Sequence, residues 1–262
     1  MEETTYIHGT DPEEQERLAG LNALTNPPFL RFLSLKETDS VLEVGSGLGL
    51  LAAEVAQRVP QGEVVGLEFS PDQLAQTPRT VPHLHFIRGD AHTLPFPDNH
   101  FDVVYCRYVL EHVRNPQQVL GEMRRVLKPG GRAYAQENDM RVVIFDPDCP
   151  ATEGIIEKII AMQTRMGGDA RMGKRLFGLF RRAGFRDIEL SFAPEIYPAS
   201  SPHFPLWIEN AVRLLEGIAD HLQEYGLATR EEIEAGYREM NALLLRDDAC
   251  ALFHWNRACG VK

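Results

Sequence analysis

The stretch that decides the fold is Val41-Leu42-Glu43-Val44-Gly45-Ser46-Gly47-Leu48-Gly49. Its first four residues are mostly apolar and rich in valine, which is typical of a short buried strand in a parallel sheet. A helical pattern follows over about 50–58. Glycines between a strand and a helix let a ligand approach the backbone, where N–H groups at the helix start can face it. The stretch therefore predicts a strand, a ligand-binding turn and a helix.

The same alternation of strand and helix continues to about residue 146. Further strands are predicted at 63–68, 84–88, 101–106 and 132–137. Capping patterns at Ser70 and Asn115, each followed by proline, predict that a helix begins after each of these residues. Five strands separated by helices imply right-handed crossovers and a parallel sheet covered on both faces. We therefore predict an α/β fold with a Rossmann-like, doubly wound sheet.

The second half of the chain is predicted to be mostly helical. Helical patterns occupy about 151–166, 172–183, 204–225 and 229–246, and two closing strands are predicted at 187–193 and 249–258. These strands bring the predicted sheet to seven, mostly parallel. We expect one domain over 1–262, with its core at about 30–146 and 172–262. Residues 1–29 are expected to form an N-terminal cap, and 147–171 and 200–246 a helical lid.

The composition is that of a globular protein. The chain has 262 residues, of which 44% are hydrophobic and 25% charged, and this length suffices for a full core. The sequence has no apolar run near the roughly 20 residues that cross a bilayer. The acidic start of the chain lacks the layout of a secretory signal, so we expect a cytoplasmic protein. The four cysteines are scattered, and no metal site is predicted.

The charge of the chain disfavours nucleic acid as a partner. The formal net charge is −11, whereas proteins that bind phosphate backbones usually present a basic face. One basic stretch, at 171–186, alternates with apolar residues at helical spacing and is interpreted as a solvated helix face. A small-molecule or protein substrate is therefore favoured over RNA or DNA, and no membrane partner is expected.

The glycine spacing bears on the cofactor. The dinucleotide fingerprint requires Gly-x-Gly-x-x-Gly, but here the third glycine comes one place early, at Gly49, and Leu50 takes the expected position. This spacing counts against NAD. Glu68 ends the second predicted strand, about 20 residues after the loop, where a carboxylate can accept hydrogen bonds from ribose hydroxyls. The nicotinamide-dependent oxidoreductases share the strand, the glycine turn and the acidic residue, and they stay open as an alternative.

Five further motifs follow the glycine loop and Glu68. In order, they are Arg88-Gly89-Asp90-Ala91, Leu94-Pro95-Phe96, Phe101-Asp102-Val103-Val104, Leu110-Glu111-His112 and Leu127-Lys128-Pro129-Gly130-Gly131. With this ordered set, over about 39–137, the sequence resembles the class I S-adenosylmethionine-dependent methyltransferases, in particular the subgroup of the ubiquinone/menaquinone-biosynthesis methyltransferases (methyltransferase type 11) and their small-molecule relatives. The resemblance implies that the chain moves the sulfonium methyl group of S-adenosyl-L-methionine to an N, O, S or C nucleophile on a small organic molecule. A non-catalytic module that binds S-adenosylmethionine is a second alternative.

The resemblance also implies a cofactor site. It puts the methionine portion against the glycine loop, the ribose on Glu68 and the adenine beside Phe69, with Asp90 bonding the adenine amino group. Asp90 can alternatively form a turn after Gly89, and Arg107 can meet the methionine carboxylate or point into solvent. The predicted cofactor-binding residues are Glu43, Gly45, Ser46, Gly47, Gly49, Glu68, Phe69, Asp90, Ala91, Cys106 and Arg107.

Three residues are candidates for catalysis. His112 belongs to a motif that the subgroup shares, and a neutral imidazole there can take a substrate proton or simply pack beneath the loop. The other two, Glu137 and Asp139, belong with Asn138 to a polar run at the end of the fifth predicted strand, which can orient a nucleophile or form a loop.

An adaptable pocket is expected over the cofactor. Its candidate lining is Tyr6, Phe29, Phe32, Met162, Met166, Phe204 and Trp207. Arg165 and Arg171 flank a glycine loop and are candidates to hold an acidic substrate group. For any one of the lining residues, ordinary core packing is an alternative interpretation.

Overall fold

The structure is a computed structural model, and it describes residues 12–78 and 81–262. The helices are α1 (Pro12–Phe32), α2 (Leu50–Arg58), α3 (Pro71–Leu74), α4 (Pro116–Val126), α5 (Pro150–Arg165), α6 (Leu176–Arg182), α7 (Phe204–Glu224) and α8 (Arg230–Leu243). The strands are β1 (Ser40–Val44), β2 (Glu63–Glu68), β3 (Leu84–Arg88), β4 (Phe101–Arg107), β5 (Leu127–Glu137), β6 (Ile144–Asp146), β7 (Arg186–Pro198) and β8 (Cys250–Val261). Short 3-10 turns lie at Leu110–His112, Met140–Val142 and Met172–Arg175.

The strands form one sheet of eight. Strands β1 to β5 pair in parallel in the order β3-β2-β1-β4-β5. Strand β8 is antiparallel to β5, and β7 pairs with it along its other edge. The predicted doubly wound α/β fold is confirmed, with one strand more than the seven predicted. The additional strand is β6, which has three residues and pairs with the start of β8, too short to leave a pattern in the sequence.

The capping residues act as the sequence predicts. The side chain of Ser70 accepts a hydrogen bond from the backbone of Gln73, and that of Asn115 accepts one from Gln118. The helix after Ser70 ends after one turn, at Leu74. The predicted helix over 172–183 is divided into a 3-10 turn and α6.

Both faces of the sheet are buried, because the central strands are mostly apolar and successive side chains point to opposite faces. In β1, Leu42 and Val44 face the layer that contains α4 and α6. Val41 faces the opposite layer, which contains α1 and α2. A third apolar cluster joins α5, α7 and α8 to β6 and β8. These three helices lie in the segments predicted as a lid and are called the lid below. No helix among the described residues is long and apolar enough to span a membrane.

The register of the sheet positions the site. Val44 at the end of β1 lies beside Leu67 of β2 and Cys106 of β4. The residues that follow, Gly45, Glu68 and Arg107, therefore reach the same edge of the sheet. This is the carboxyl edge, where open α/β sheets bind their ligands.

Candidate functional site

A cavity of about 660 Å³ opens at the carboxyl edge of the sheet and extends under the lid. This volume lies within the range of about 300–1,000 Å³ that ligand sites usually have. The predicted site residues that line the cavity are Glu43, Gly45, Ser46, Gly47, Glu68, Phe69, Asp90, Ala91, Arg107 and His112. Gly49, Cys106, Glu137 and Asp139 do not belong to its lining.

The glycines of the loop have different tasks. Gly47 has φ 53°, and a Cβ built on it would meet no heavy atom closer than 3.6 Å, so this position is open to a ligand. Gly49 has φ 71° and precedes α2, and a Cβ there would lie 2.4 Å from the ring of Phe86. Gly49 is thus required by the protein's own packing, while Gly47 leaves backbone surface exposed to the cavity.

Glu68 fixes the loop and also faces the cavity. Its Oε2 accepts a hydrogen bond from the Gly47 N–H at 2.8 Å, and its Oε1 accepts one from the Ser70 N–H at 2.8 Å. Each carboxylate oxygen has a second lone pair. The side chain can therefore hold the loop and still accept hydrogen bonds from ligand hydroxyls.

Asp90 forms the turn that was the alternative to cofactor binding, and it lines the cavity as well. Its Oδ1 accepts hydrogen bonds from the backbone N–H of His92 at 2.8 Å and from the His92 ring at 2.7 Å. Burial acts to raise the pKa of Asp90, but these hydrogen bonds hold it below its usual value. The turn uses only Oδ1, so the two interpretations are compatible.

Glu43 and Arg107 both line the cavity, and Arg107 contacts α1. Burial raises the pKa of Glu43 to about 8, against the opposing charge of Arg107, and Glu43 Oε2 has no hydrogen-bond partner within the described residues. Arg107 is 9% exposed and donates to Thr25 at 3.2 Å, to Asn26 at 2.6 Å and to Asn22. The alternative of an outward, solvated arginine is therefore wrong, because α1 covers the guanidinium.

Glu137 supports the cavity wall from outside the cavity. Its carboxylate accepts hydrogen bonds from the N–H groups of Val109, Leu110 and Glu111 at 2.9–3.2 Å. Burial, together with the nearby Glu111 carboxylate, raises the pKa of Glu137 well above its usual value. Because the carboxylate is fully buried and orders the turn at 110–112, the geometry gives it a structural role where catalysis was predicted.

Asp139 is turned away from the cavity as well. It accepts hydrogen bonds from the Arg141 N–H at 3.2 Å and from Arg171 Nε at 3.4 Å.

Cys106 is fully buried in the sheet core, and burial raises the pKa of its thiol well above the usual value. Its side chain therefore cannot face the cofactor, and only a backbone contact of the kind that the resemblance implies is left for it.

His112 is the one predicted catalytic residue that lines the cavity. Its Nε2 lies 3.4 Å from Oε1 of Glu111, and its Nδ1 lies 3.5 Å from the side-chain amide of Gln163. Glu111 and Asn138 also line the cavity, and each has a buried oxygen with no hydrogen-bond partner within the described residues. These oxygens are available to a ligand. The sequence placed both residues next to the candidates, but it gave no sign of which side chains turn inward.

The lid part of the cavity differs from the predicted pocket. Of the predicted residues only Trp207 lines it, and Tyr6 lies outside the described residues. Arg165 donates to the Tyr225 carbonyl, and Arg171 pairs with Asp139, so neither reaches the cavity. Phe29, Met162 and Phe204 are buried in the core, and Phe32 and Met166 pack against it. The cavity is instead lined by residues that the sequence analysis missed, among them Tyr108, Phe145, Glu195, Phe253 and Trp255.

The residues that line the cavity suit S-adenosylmethionine better than a metal ion. Among the residues that the structure describes, no group of three or more His, Cys, Asp and Glu side chains is placed to hold a metal ion. The open backbone at Gly47, the unpartnered oxygen of Glu43 and the lone pairs of Glu68 suit a ligand that carries an amino group and ribose hydroxyls. Phe69 is 43% exposed beside them and offers an apolar face for a base.

Comparison with known proteins finds methyltransferases. Residues 42–135 match a family model described as a methyltransferase domain. The chain is 36% identical over 146 residues to an uncharacterized methyltransferase of Schizosaccharomyces pombe, across 52% of each chain. It is 37% identical over 128 residues to a demethylmenaquinone methyltransferase of Thermus thermophilus, across 47% of this chain and 55% of the relative. The chain thus spans about half the length of these curated relatives.

A solved structure shares the fold over nearly the whole chain. A proposed methyltransferase of Bacillus halodurans superposes with a TM-score of 0.59 at 19% identity, and the match covers 91% of this chain and 99% of that one. At this level of identity the likeness concerns the fold.

Proposed function

We propose that this chain, whose residues 42–135 match a methyltransferase domain model, transfers the methyl group of S-adenosylmethionine to a nucleophile on a small organic molecule. The observation that carries the proposal is the cavity. It joins the open backbone at Gly47 and the carboxylates of Glu68 and Asp90 to an apolar space under the lid. Two ligands can therefore lie side by side, away from bulk water. We also propose that the whole chain is a single domain.

The residues of the cofactor half have separate roles in this proposal. The glycine loop and Glu43 receive the methionine portion, and Arg107 is close to its carboxylate. Glu68 receives the ribose hydroxyls. Asp90 and the Ala91 N–H read the edge of the adenine, whose amino group donates while its ring nitrogens accept, and Phe69 covers a ring face. Cys106 contributes its backbone only.

The cofactor, when bound, supplies an electrophilic methyl group, so the protein needs to contribute little covalent chemistry. The lid residues exclude water and hold the acceptor in line, and fixed near-attack geometry can lower the barrier by about 7–11 kcal/mol. His112 is positioned to take a proton from an acceptor that carries one, since its ring lines the cavity. Oε1 of Glu111 lies 3.4 Å from Nε2 of that ring and can accept a hydrogen bond from it.

The charge of the chain supports a small acceptor. A net charge of −11 opposes the approach of a phosphate backbone. The cavity is largely apolar, which suits a small organic molecule.

Calorimetric titration with S-adenosylhomocysteine and with NAD tests the cofactor. We expect the former to bind and NAD not to bind. Tight binding of NAD alone would overturn the proposal in favour of an oxidoreductase. Incubation with methyl-labelled S-adenosylmethionine and a panel of N, O, S and C nucleophiles then tests catalysis, and a bound cofactor without methylated product across the panel would favour a non-catalytic binding module.

A further inference from the structure

A carboxylate lies among aromatic rings in the lid part of the cavity. Glu195 of β7 accepts hydrogen bonds from the indole N–H of Trp255 at 2.6 Å and from that of Trp207 at 3.2 Å. The Trp255 ring lies 4.4 Å from Tyr108 and 4.6 Å from Phe253, centroid to centroid. All five side chains line the cavity. We call these five residues the aromatic cage.

The charge of Glu195 has no counter-ion among the residues that the structure describes. Among the side chains that the structure describes, no Lys, Arg or His lies within ion-pair distance of this carboxylate. Burial raises the pKa of Glu195, and the two indole hydrogen bonds only partly offset this effect. A carboxylate enclosed by apolar groups is costly unless a cation compensates it. The ionised form of Glu195 therefore needs a positive charge in the cavity, and the cage favours a ligand that brings one.

The surrounding rings favour the same kind of ligand. The face of a tryptophan ring attracts cations more strongly than the face of a tyrosine or phenylalanine ring does. The attraction increases when water is excluded. The hydrogen bonds to Glu195 fix both indole rings in place, so little side-chain entropy is lost when a ligand binds. Beyond the cage, the wall is aliphatic and includes Ile155, Ile159 and Leu214. An apolar body with one positive group matches this lining.

We propose that the aromatic cage binds an ammonium group of the methyl acceptor, so that the acceptor is an apolar compound with one amino or quaternary ammonium group. The methyl group goes to a different atom of the acceptor, because a charged ammonium nitrogen has no lone pair with which to attack it. The proposal rests on the proposed function, since the ligand of the cage is the methyl acceptor only if the chain is a methyltransferase. It makes Glu195 the residue that determines specificity.

The chain contains its own probe for this site. Its only two tryptophans are Trp207 and Trp255, so intrinsic tryptophan fluorescence reports on the cage. The full chain, saturated with S-adenosylhomocysteine, is titrated with 4-phenylbutylamine, 4-phenylbutanol and 4-phenylbutyrate, which share one carbon skeleton and differ in charge. We expect the amine to bind at least about tenfold more tightly than the alcohol, and the carboxylate to bind most weakly.

Two matched variants assign the effect. Glu195→Gln keeps the shape of the side chain but removes the charge, and we expect it to lose the preference for the amine. Glu189→Gln makes the same change at an exposed position of β7, and we expect it to keep the preference. Circular dichroism checks the fold of both variants, and the comparison of the three ligands on the unmodified chain is decisive even if Glu195→Gln does not fold.

Other results overturn the proposal. Equal affinity for amine and alcohol, or tighter binding of the carboxylate, shows that the cage is not a cation site. A preference that survives in a folded Glu195→Gln variant shows that Glu195 does not provide it. Failure of S-adenosylhomocysteine to bind in calorimetry refutes the proposed function instead, and the same three ligands then test the cage in the chain without cofactor.

Discussion

Replacement of Glu68 by Gln tests the double role of this carboxylate. Its two oxygens accept the N–H groups of Gly47 and Ser70, each at 2.8 Å. A glutamine can accept only one of these bonds, and its NH₂ group then faces the other backbone donor. Leaving one buried donor without an acceptor costs about 1–3 kcal/mol. We expect the free energy of unfolding to fall by about this amount in urea denaturation.

The same substitution removes the acceptor that we assign to the ribose hydroxyls. A loss of about 1–3 kcal/mol raises the Kd for S-adenosylhomocysteine between about fivefold and more than a hundredfold, since about 1.4 kcal/mol is tenfold. Isothermal titration calorimetry measures this change. Glu63→Gln is the matched control, because Glu63 lies at the other end of β2 with its side chain 49% exposed. A folded Glu68→Gln variant whose Kd stays within about twofold of the unmodified chain would refute the assignment.

Three further predictions concern the glycine pair Gly47 and Gly49, the buried Glu43, and Asp90. Gly49→Ala should lower the free energy of unfolding by about 2–5 kcal/mol, from a strained left-handed alanine and a clash with Phe86. Gly47→Ala should cost only the strain, about 1–2 kcal/mol, yet weaken binding of S-adenosylhomocysteine; equal effects of the two in urea denaturation and calorimetry would contradict this. Glu43 keeps its proton in the folded chain up to a pKa of about 8, against a usual 4.5, so stability falls as pH rises between these values, by up to about 1.4 kcal/mol per pH unit. Urea denaturation at pH 5 to 8 should show a flatter profile for Glu43→Gln, and an unchanged profile would count against the raised pKa. Asp90→Asn can keep its turn through the amide oxygen, so we expect normal stability but weaker cofactor binding in calorimetry; unaltered affinity would remove Asp90 from the adenine site.

The sequence predicted most of the lining in the part of the cavity that we assign to the cofactor, because the motifs there are local. The loop from Gly45 to Gly49 directly follows β1, and Glu68 is the last residue of β2. Each can be recognised from a few neighbouring residues. Once the strands are parallel, their carboxyl ends meet at one edge whatever the rest of the chain does. The lining of the cofactor half therefore follows from the order of strands and helices, which the periodicity of the sequence already gives.

The predicted catalytic residues show where this reasoning fails. Glu137, Asn138 and Asp139 are adjacent polar residues at one strand end, and nothing in their order tells which one faces the cavity. The structure shows that Asn138 does, while Glu137 binds the backbone of the turn at 110–112 and Asp139 binds Arg171. Direction at a strand end depends on backbone angles that only the packed neighbours fix.

The sequence by itself determined the order of β1 to β5, the doubly wound sheet and the glycine loop, because apolar periodicity and turn residues act over a few neighbouring positions. Only the tertiary structure decided which side chains meet across long stretches of chain. It brings Arg107 under α1, and it brings Glu195 within hydrogen-bond distance of Trp255, 60 positions away. Such contacts arise from the packing of whole helices and strands, and no local pattern encodes them.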